Sequence, residues 1–282
     1  MTMLSINTNV GALFAAHSSY KVNKSMETSM ARLSSGKRIN SGADDAAGLF
    51  ITKRMAGEIQ GLNQAVRNAA DAQAYLATTE GAMEEVHTIL LRIRELSVQA
   101  SNGTYTAQDR VALQAEVTDL QSEINRIATD TTFNNIGVLS GAASTGITFQ
   151  IGADNTQSMT VSIGNHNTVS LGLTAESALT AASGTLTAAS EFMGYISTID
   201  GVISTISTNR GTLAAAMNRL DHAMANMQNV ATNLSMAKGR IEDADFAAET
   251  SNLSRVQVLQ QASMAMLAQA NASKQNILSL FQ

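Results

Sequence analysis

The sequence predicts a mainly α fold: a long antiparallel helical coiled-coil rod formed by the N- and C-terminal halves, with a small β-hairpin region in the middle of the chain. Three observations predict it. First, Ile196, Ile199, Ile203, Ile206, Arg210, Leu213, Met217, Leu220, Met224, Met227, Ala231 and Leu234 follow one another in alternating steps of 3 and 4. That spacing keeps one helix face apolar and favours a left-handed coiled coil; only Arg210 is out of character. Second, no proline interrupts either half, whereas an average chain of this length carries ~14 at about 5% usage. Third, aromatics are only 4% and Trp is absent, so the core rests on Ala, Leu, Ile, Val and Met, which suits thin helix–helix layers.

At ~1.5 Å per residue the stripe from Ile196 to Leu234 is ~58 Å long, and it cannot bury itself. The N-terminal half offers a partner at Ile59, Leu62, Val66, Ala69, Gln73, Leu76, Glu80, Met83, His87 and Leu90, which repeat the alternation less cleanly.

The first helix is expected over residues 5–34, with a discontinuous apolar face at Val10, Leu13, Phe14, Tyr20, Met26, Met30 and Leu33. Ser34-Ser35-Gly36 stops it. Ser41 and Asp44 form an [ST]-x-x-[DE] capping signal that places the next helix start there, and that helix runs to about Ala100. A third helix spans about Ala107–Thr129 with Val111, Val117, Leu120, Ile124 and Ile127 inward. Residues 131–190 are rich in Ser, Thr, Gly, Ala and Asn; within them Ile147–Ile151 and Met159–Ile163 alternate apolar and polar as a β-hairpin. The long helix then runs from about Thr185 to Met236. A final helix covers about Asp243–Ser279, with Phe246, Leu253, Val256, Leu259, Met266, Leu267 and Ile277 on its apolar side.

Composition excludes several function classes. Without cysteine there is no disulfide framework, thiolate site or Cys nucleophile. The four histidines lack metal-ligand spacing and no H-E-x-x-H occurs, so no metal ligand, catalytic residue or cofactor is expected and the chain is not read as an enzyme. Asp44-Asp45 and Glu242-Asp243-Asp245 read as acids gathered at helix N-termini. The methionines on the seam read as core filler. Basic residues concentrate in residues 1–54, but without interleaved aromatics or a binding motif they do not indicate nucleic acid. The start lacks a basic n-region and apolar h-region, so no cleavable secretion signal is expected, and no run of 18 apolar residues suggests membrane insertion.

Leu33-Ser34-Ser35-Gly36-Lys37-Arg38-Ile39-Asn40 followed by Asp44-Asp45-Ala46-Ala47-Gly48 resembles the N-terminal signature of bacterial flagellin. Arg240–Phe246, Gln260-Gln261-Ala262, Leu267–Asn271 and Asn276–Leu280 resemble its C-terminal half in the same order. The resemblance covers about residues 1–140 and 185–282. It implies a structural subunit that polymerises with itself into an open helical filament for motility, without cofactor. It further implies an extracellular filament reached through the flagellar type III export channel, with an export chaperone, cap and hook-junction proteins as partners. By resemblance residues 1–44 and 239–282 are the axial core helices, 45–140 and 185–238 the outer rod, and 141–184 a short exposed hairpin and loop region. Axial packing is expected from Val10, Leu13, Phe14, Tyr20 and Leu33 against Phe246, Leu253, Val256, Leu259, Met266 and Ile277, with Leu267 and Leu280 left for neighbouring subunits.

A hook–filament junction protein of the same superfamily shares the terminal helices, but the match at residues 240–246 and 267–280 favours the filament subunit. A secreted translocator would need a cationic amphipathic face with Trp, which is absent. Finally, Leu90–Leu96 resembles the segment recognised by the vertebrate Toll-like receptor for flagellin. The receptor-contacting positions fall on Arg92, Leu96 and Glu116, and Leu91 departs from the Gln common there. Leu90, Ile93 and Leu96 equally suit a helix core.

Overall fold

A computed structural model describes residues 8–173 and 189–279, with side chains through Ser273. In chain order it contains α1 (Val10–Ser35), α2 (Ala46–Ala100), α3 (Ala107–Asp130), β1 (Thr132–Phe133), β2 (Ile136–Gly137), β3 (Ile147–Gln150), β4 (Ser158–Val161), α4 (Ala189–Glu242) and α5 (Phe246–Ser279). The expected beginnings at residues 5 and 185, and the side chains of Ile277 and Leu280, lie outside the described residues. The chain forms two compact units, one of residues 1–59 with 232–282 and the other of residues 60–231. This division falls inside α2 and α4, both of which run through it without a break.

Local chemistry sets the helix ends. Gly36 takes the left-handed conformation, φ 71°, that ends α1, a conformation costly for any residue with a Cβ. Ser41 and Asp44 do not start α2. The Asp44 carboxylate instead accepts from the Asn40 and Ser41 amides and from the Ser41 hydroxyl, closing a turn. The cap is Asp45, whose Oδ1 accepts from the Gly48 amide at 2.9 Å. The capping box sits one helix later, where the Thr106 hydroxyl accepts from the Asp109 amide and the Asp109 carboxylate accepts from the Thr106 amide. The last helix begins at Phe246 and not Asp243, because the Asp245 carboxylate accepts from the Ala247 and Ala248 amides.

In the second unit α2 and α4 run antiparallel. Gln73 Nε2 donates to Asp221, the Arg210 guanidinium to Glu80, and Arg94 to Asp200. The buried stripe of α2 is Leu62, Ala65, Ala69, Ala72, Leu76, Thr79, Met83, Val86, Leu90, Ile93, Ser97 and Ala100, an unbroken alternation of 3 and 4. It shares every seventh position with the expected stripe but takes Ala65, Ala72, Thr79 and Val86 where Val66, Gln73, Glu80 and His87 were expected. In α4 the same displacement occurs. Ile199, Ile206, Leu213, Leu220 and Met227 are buried as expected, whereas Ile196, Ile203, Met217, Met224 and Leu234 are half-buried. Tyr195, Val202 and Ala216 take the core positions beside the first three of the half-buried five.

The cause is a third layer on one side of the pair. Tyr75 packs edge-on against Phe133 at 5.7 Å and lies tilted by 55° against Phe149 at 6.0 Å. Gln121 of α3 donates to the Tyr195 hydroxyl and to the Leu173 carbonyl. The seam turns toward that layer, and the other flank keeps the ion pairs of Arg210 with Glu80 and Glu84. In α3, Val117 and Ile124 are buried, Leu120 and Ile127 are half-buried, and Val111 is 41% exposed. Val111 turns outward because Gln114 and Ala128 share the inner face instead.

The middle of the chain holds two strand pairs. In the expected hairpin, Ile147 faces Val161 and Gln150 faces Ser158. The unexpected pair, β1 with β2, turns on Asn134 and Asn135 at φ 49° and 64°, the two-residue geometry that needs both central residues left-handed.

Candidate functional site

Helices α1 and α5 form an antiparallel pair in the first unit, and the segments that precede and follow them latch it. Ala244 N donates to Gly36 O, and Arg38 N donates to Glu242 O at 2.7 Å. The Arg38 guanidinium donates to Ile241 O, and Lys37 Nζ meets Glu242 at 2.6 Å. Hydrogen bonding from Lys37 holds the Glu242 carboxyl below its ordinary range. Farther along, Asn9 donates to Ala270 O, Gln260 to Asn23, and Arg32 pairs with Glu249 at 3.7 Å.

The side chains between these helices are mainly small or polar. On α1 the inner stripe is Ala12, Ala15, Ser19, Val22, Met26, Ser29 and Leu33; on α5 it is Glu249, Leu253, Val256, Gln260, Ser263, Leu267 and Ala270. Both step by 3 and 4. Several large apolar residues stay exposed outside these stripes: Val10 is 52% exposed, Leu13 62%, Phe14 72%, Tyr20 66%, Phe246 56%, Leu259 48% and Met266 65%. These seven lie outside the inner stripes that were expected to include them, although Phe14, Leu259 and Met266 share one groove beside those stripes. The helices pair through the adjacent stripe, where Ala12, Ala15, Ser19, Ser29, Ser263 and Ala270 allow close approach between the larger Met26, Leu33, Leu253 and Leu267. Leu33, Leu253 and Val256 do lie on the inner side, half-buried. Leu267, expected to be left outward, also lies there. Between the helices an open groove of about 410 Å³ is lined by Phe14, Val22, Leu259 and Met266 among others.

Among the described residues no group of three His, Cys, Asp or Glu side chains is placed to hold a metal, and no helix is long and apolar enough to cross a membrane. The acidic cluster near residue 243 divides its tasks: Glu242 pairs with Lys37 and Lys238, and Asp245 caps α5.

On the second unit, Arg92 projects from α2 and joins Glu95 at 2.7 Å and Glu116 of α3 at 2.9 Å. Both partners are exposed. Leu96 is 1% exposed, so its expected contact with a receptor is corrected. It is buried next to Ser97 in sequence, like Ile93 one turn earlier. Sequence reasoning also missed His166, which is 2% exposed. Its Nδ1 lies 2.7 Å from Gly164 O and its Nε2 lies 3.1 Å from Asn209 Nδ2. Since the carbonyl can only accept and the amide nitrogen only donate, the ring is neutral with its proton on Nδ1. Burial pushes its pKa down. No sequence spacing announces this contact, which links a loop residue to a helix 43 positions away.

Residues 6–144 match the bacterial flagellin N-terminal helical region, and residues 196–281 match the bacterial flagellin C-terminal helical region. The chain is 37% identical over 290 residues to flagellin FlaB1 of Treponema pallidum, with 98% of this chain and 99% of that protein covered. It is 38% identical over 290 residues to the flagellar filament 33 kDa core protein of Treponema phagedenis, with the same coverage. It is 41% identical over 310 residues to a flagellin of Xenorhabdus nematophila, again covering 98% and 99%. Among solved structures, a putative flagellar hook-associated protein from Vibrio parahaemolyticus shares the fold with a TM-score of 0.58 at 15% identity, covering 71% of this chain and 100% of that one.

Proposed function

The chain belongs to the bacterial flagellin family and is a structural subunit of the flagellar filament, and from that premise we propose that the outward face of the α1–α5 pair is its polymerisation surface. The observation that carries this reading is the inverted pair. Its inner seam mixes Ser, Ala and polar groups with Val, Met and Leu and its most buried members are Ser19, Ser29, Ser263 and Glu249, while Phe14, Leu13, Tyr20, Leu259 and Met266 stay exposed. A second copy would remove these side chains from water, each worth roughly 1.5–3 kcal/mol when fully buried. Repetition of such a contact by a rotation that does not close produces an open helical polymer.

In this reading residues 1–44 and 239–282 are the axial segments, 45–140 and 185–238 the surrounding helical layer, and 141–184 the outer surface. If sugars are attached, the Ser/Thr-rich outer surface is where O-linked ones belong. The subunit is not an enzyme. It leaves the cell by the flagellar export route to an extracellular filament, and it engages an export chaperone, the cap and hook-junction proteins on the way.

The test is a chain lacking residues 1–40 and 243–282. We expect it to remain helical by circular dichroism, because the α2–α4 seam does not involve those residues, and to stay monomeric by sedimentation in the presence of seeds. Filaments grown from the truncated chain would refute the axial role. A second reading concerns immune recognition and is favoured by the exposed Arg92–Glu116 pair across α2 and α3. Arg92→Ala is expected to weaken activation of the Toll-like receptor for flagellin in a reporter assay, and an undiminished response would sink that assignment.

A further inference from the structure

With no cysteine in the chain, methionine is the only sulfur residue, present 14 times. Its copies differ widely in exposure, and Met193 of the second unit is 58% exposed. Met83, Met159 and Met227 of the second unit are 1%, 4% and 5% exposed. In the first unit Met30, Met236, Met264 and Met266 are 55%, 52%, 56% and 65% exposed. Two of these adjoin the α1–α5 pairing surface. Met266 lines the groove with Phe14, Val22 and Leu259. Met264 Sδ accepts from the buried Ser19 hydroxyl at 3.9 Å, so its thioether sits at the rim of the seam.

We propose that Met264 and Met266 form a reversible oxidation site that removes a free subunit from the polymerising pool. The proposal rests on the polymerisation surface assigned above. The co-reactant is a two-electron oxidant of the peroxide class. A sulfur lone pair attacks one peroxide oxygen, the O–O bond breaks, and proton transfer releases the other oxygen as water. Thioether and hydrogen peroxide thus give sulfoxide and water; sulfur is oxidised by two electrons and the peroxide is reduced. The product is polar and chiral where the thioether was apolar. Two such groups on a surface that excludes water on assembly must either keep their hydration or lose it unpaired, and either outcome opposes docking. Reduction by a methionine sulfoxide reductase, drawing two electrons from thiols, restores the thioether. Met83, Met159 and Met227 in the core of the second unit are shielded, and Met193, 58% exposed, lies off that core, so oxidation leaves the second unit folded.

The experiment treats full-length monomer with hydrogen peroxide, removes the excess with catalase, and maps sulfoxides by peptide mass spectrometry. We expect sulfoxide at Met264 and Met266, together with the other exposed methionines, and little at Met83, Met159 and Met227. Elongation of seeds should fall about tenfold, the main melting transition should be unchanged, and reductase treatment should return elongation. Applied to finished filaments, the same treatment should spare Met264 and Met266. The M264L/M266L variant keeps the volume but has no sulfur at these positions, and it should elongate seeds after peroxide as well as before.

Treated wild type that elongates normally overturns the proposal while untreated growth leaves the polymerisation reading standing. Equal loss of elongation after peroxide in M264L/M266L also overturns it, by placing the effect on other methionines. If that variant fails to elongate before treatment, reductase rescue of oxidised wild type decides the matter. Rescue that leaves Met264 and Met266 oxidised overturns the proposal. Rescue that tracks their reduction supports it. Untreated wild type unable to extend seeds overturns the polymerisation reading and this inference together.

Discussion

Replacing Phe14 with alanine separates folding from assembly more cleanly than any deletion. Phe14 is 72% exposed in the subunit, so truncating it removes few contacts there, and alanine has the higher helix propensity. Its value appears only when a neighbouring copy covers it. Full burial of a Phe is worth about 1.5–3 kcal/mol, and with roughly 0.7 of the ring still available this leaves about 1.1–2.2 kcal/mol. At about 1.4 kcal/mol per decade, the critical concentration for seeded growth should rise about 6- to 40-fold. The measurement is the protein remaining in the supernatant after filaments and monomer equilibrate, with circular dichroism melting of the monomer as control. An unchanged critical concentration would show that this face is not the contact. A fall in monomer stability comparable to a core truncation would show that Phe14 is already packed.

Two further substitutions and one titration test the second unit. Ala216 is 7% exposed on the seam of α4, whereas Met217 beside it is half-buried. Ala216→Leu should therefore overpack the α2–α4 contact and cost about 1–3 kcal/mol, while Met217→Leu should change stability by less than about 1.5 kcal/mol; equal effects in urea melts would mean the seam has been assigned to the wrong stripe. His166 is buried and its pKa lies below the ordinary 6.5. The unfolded chain then takes up a proton that the folded chain refuses. Its contribution is thus fully present above about pH 6.5 and is lost as pH falls toward the folded pKa, by at most about 1.4 kcal/mol per pH unit. Urea melts at pH 7.5 and 5.5 should show a larger acid loss in wild type than in His166→Gln, and identical losses would mean His166 does not remain neutral in the fold.

The helical class, the helix order and the 147–163 hairpin were legible because each rests on local periodicity and punctuation. The seam was legible only to within one residue per turn. Two stripes with the same 3–4 alternation share Leu62, Ala69, Leu76, Met83 and Leu90, and they differ in whether Ala65 or Val66, Thr79 or Glu80, lies between. Choosing the larger apolar residue at 66, and at 203 and 217 in α4, favoured the wrong stripe. Gln73, Glu80 and His87 were signs against it. What decides the matter is the third layer built by Phe133, Phe149 and α3, and no single helix encodes that neighbour. Capping shows the same limit. Ser41-x-x-Asp44 and Thr106-x-x-Asp109 carry one pattern, yet the first closes a turn and the second caps α3, because Asp45 lies where it can cap α2 itself.

The two units solve opposite problems with the same residue types. In residues 60–231, a stripe of Leu, Ile, Ala and Met meets its partner and a covering layer, so Leu76, Leu90, Ile93, Ile199 and Leu220 are all fully buried. That is a core able to offset the ordering of a backbone at about 1–2 kcal/mol per residue. In the α1–α5 pair the buried side chains include Ser19, Ser29, Ser263 and Glu249, none of which supplies much hydrophobic stabilisation, while Leu33, Leu253, Val256 and Leu267 are only half-buried and Leu13, Phe14, Tyr20 and Phe246 are exposed. The same alternation therefore yields a self-sufficient core in one unit and an incomplete one in the other. On the polymerisation reading proposed above, a neighbouring copy supplies the missing part. A subunit whose apolar terminal faces are satisfied only by its neighbours couples the stability of its ends to their incorporation, which is the property a filament protein needs to remain dispersed until it reaches the growing tip.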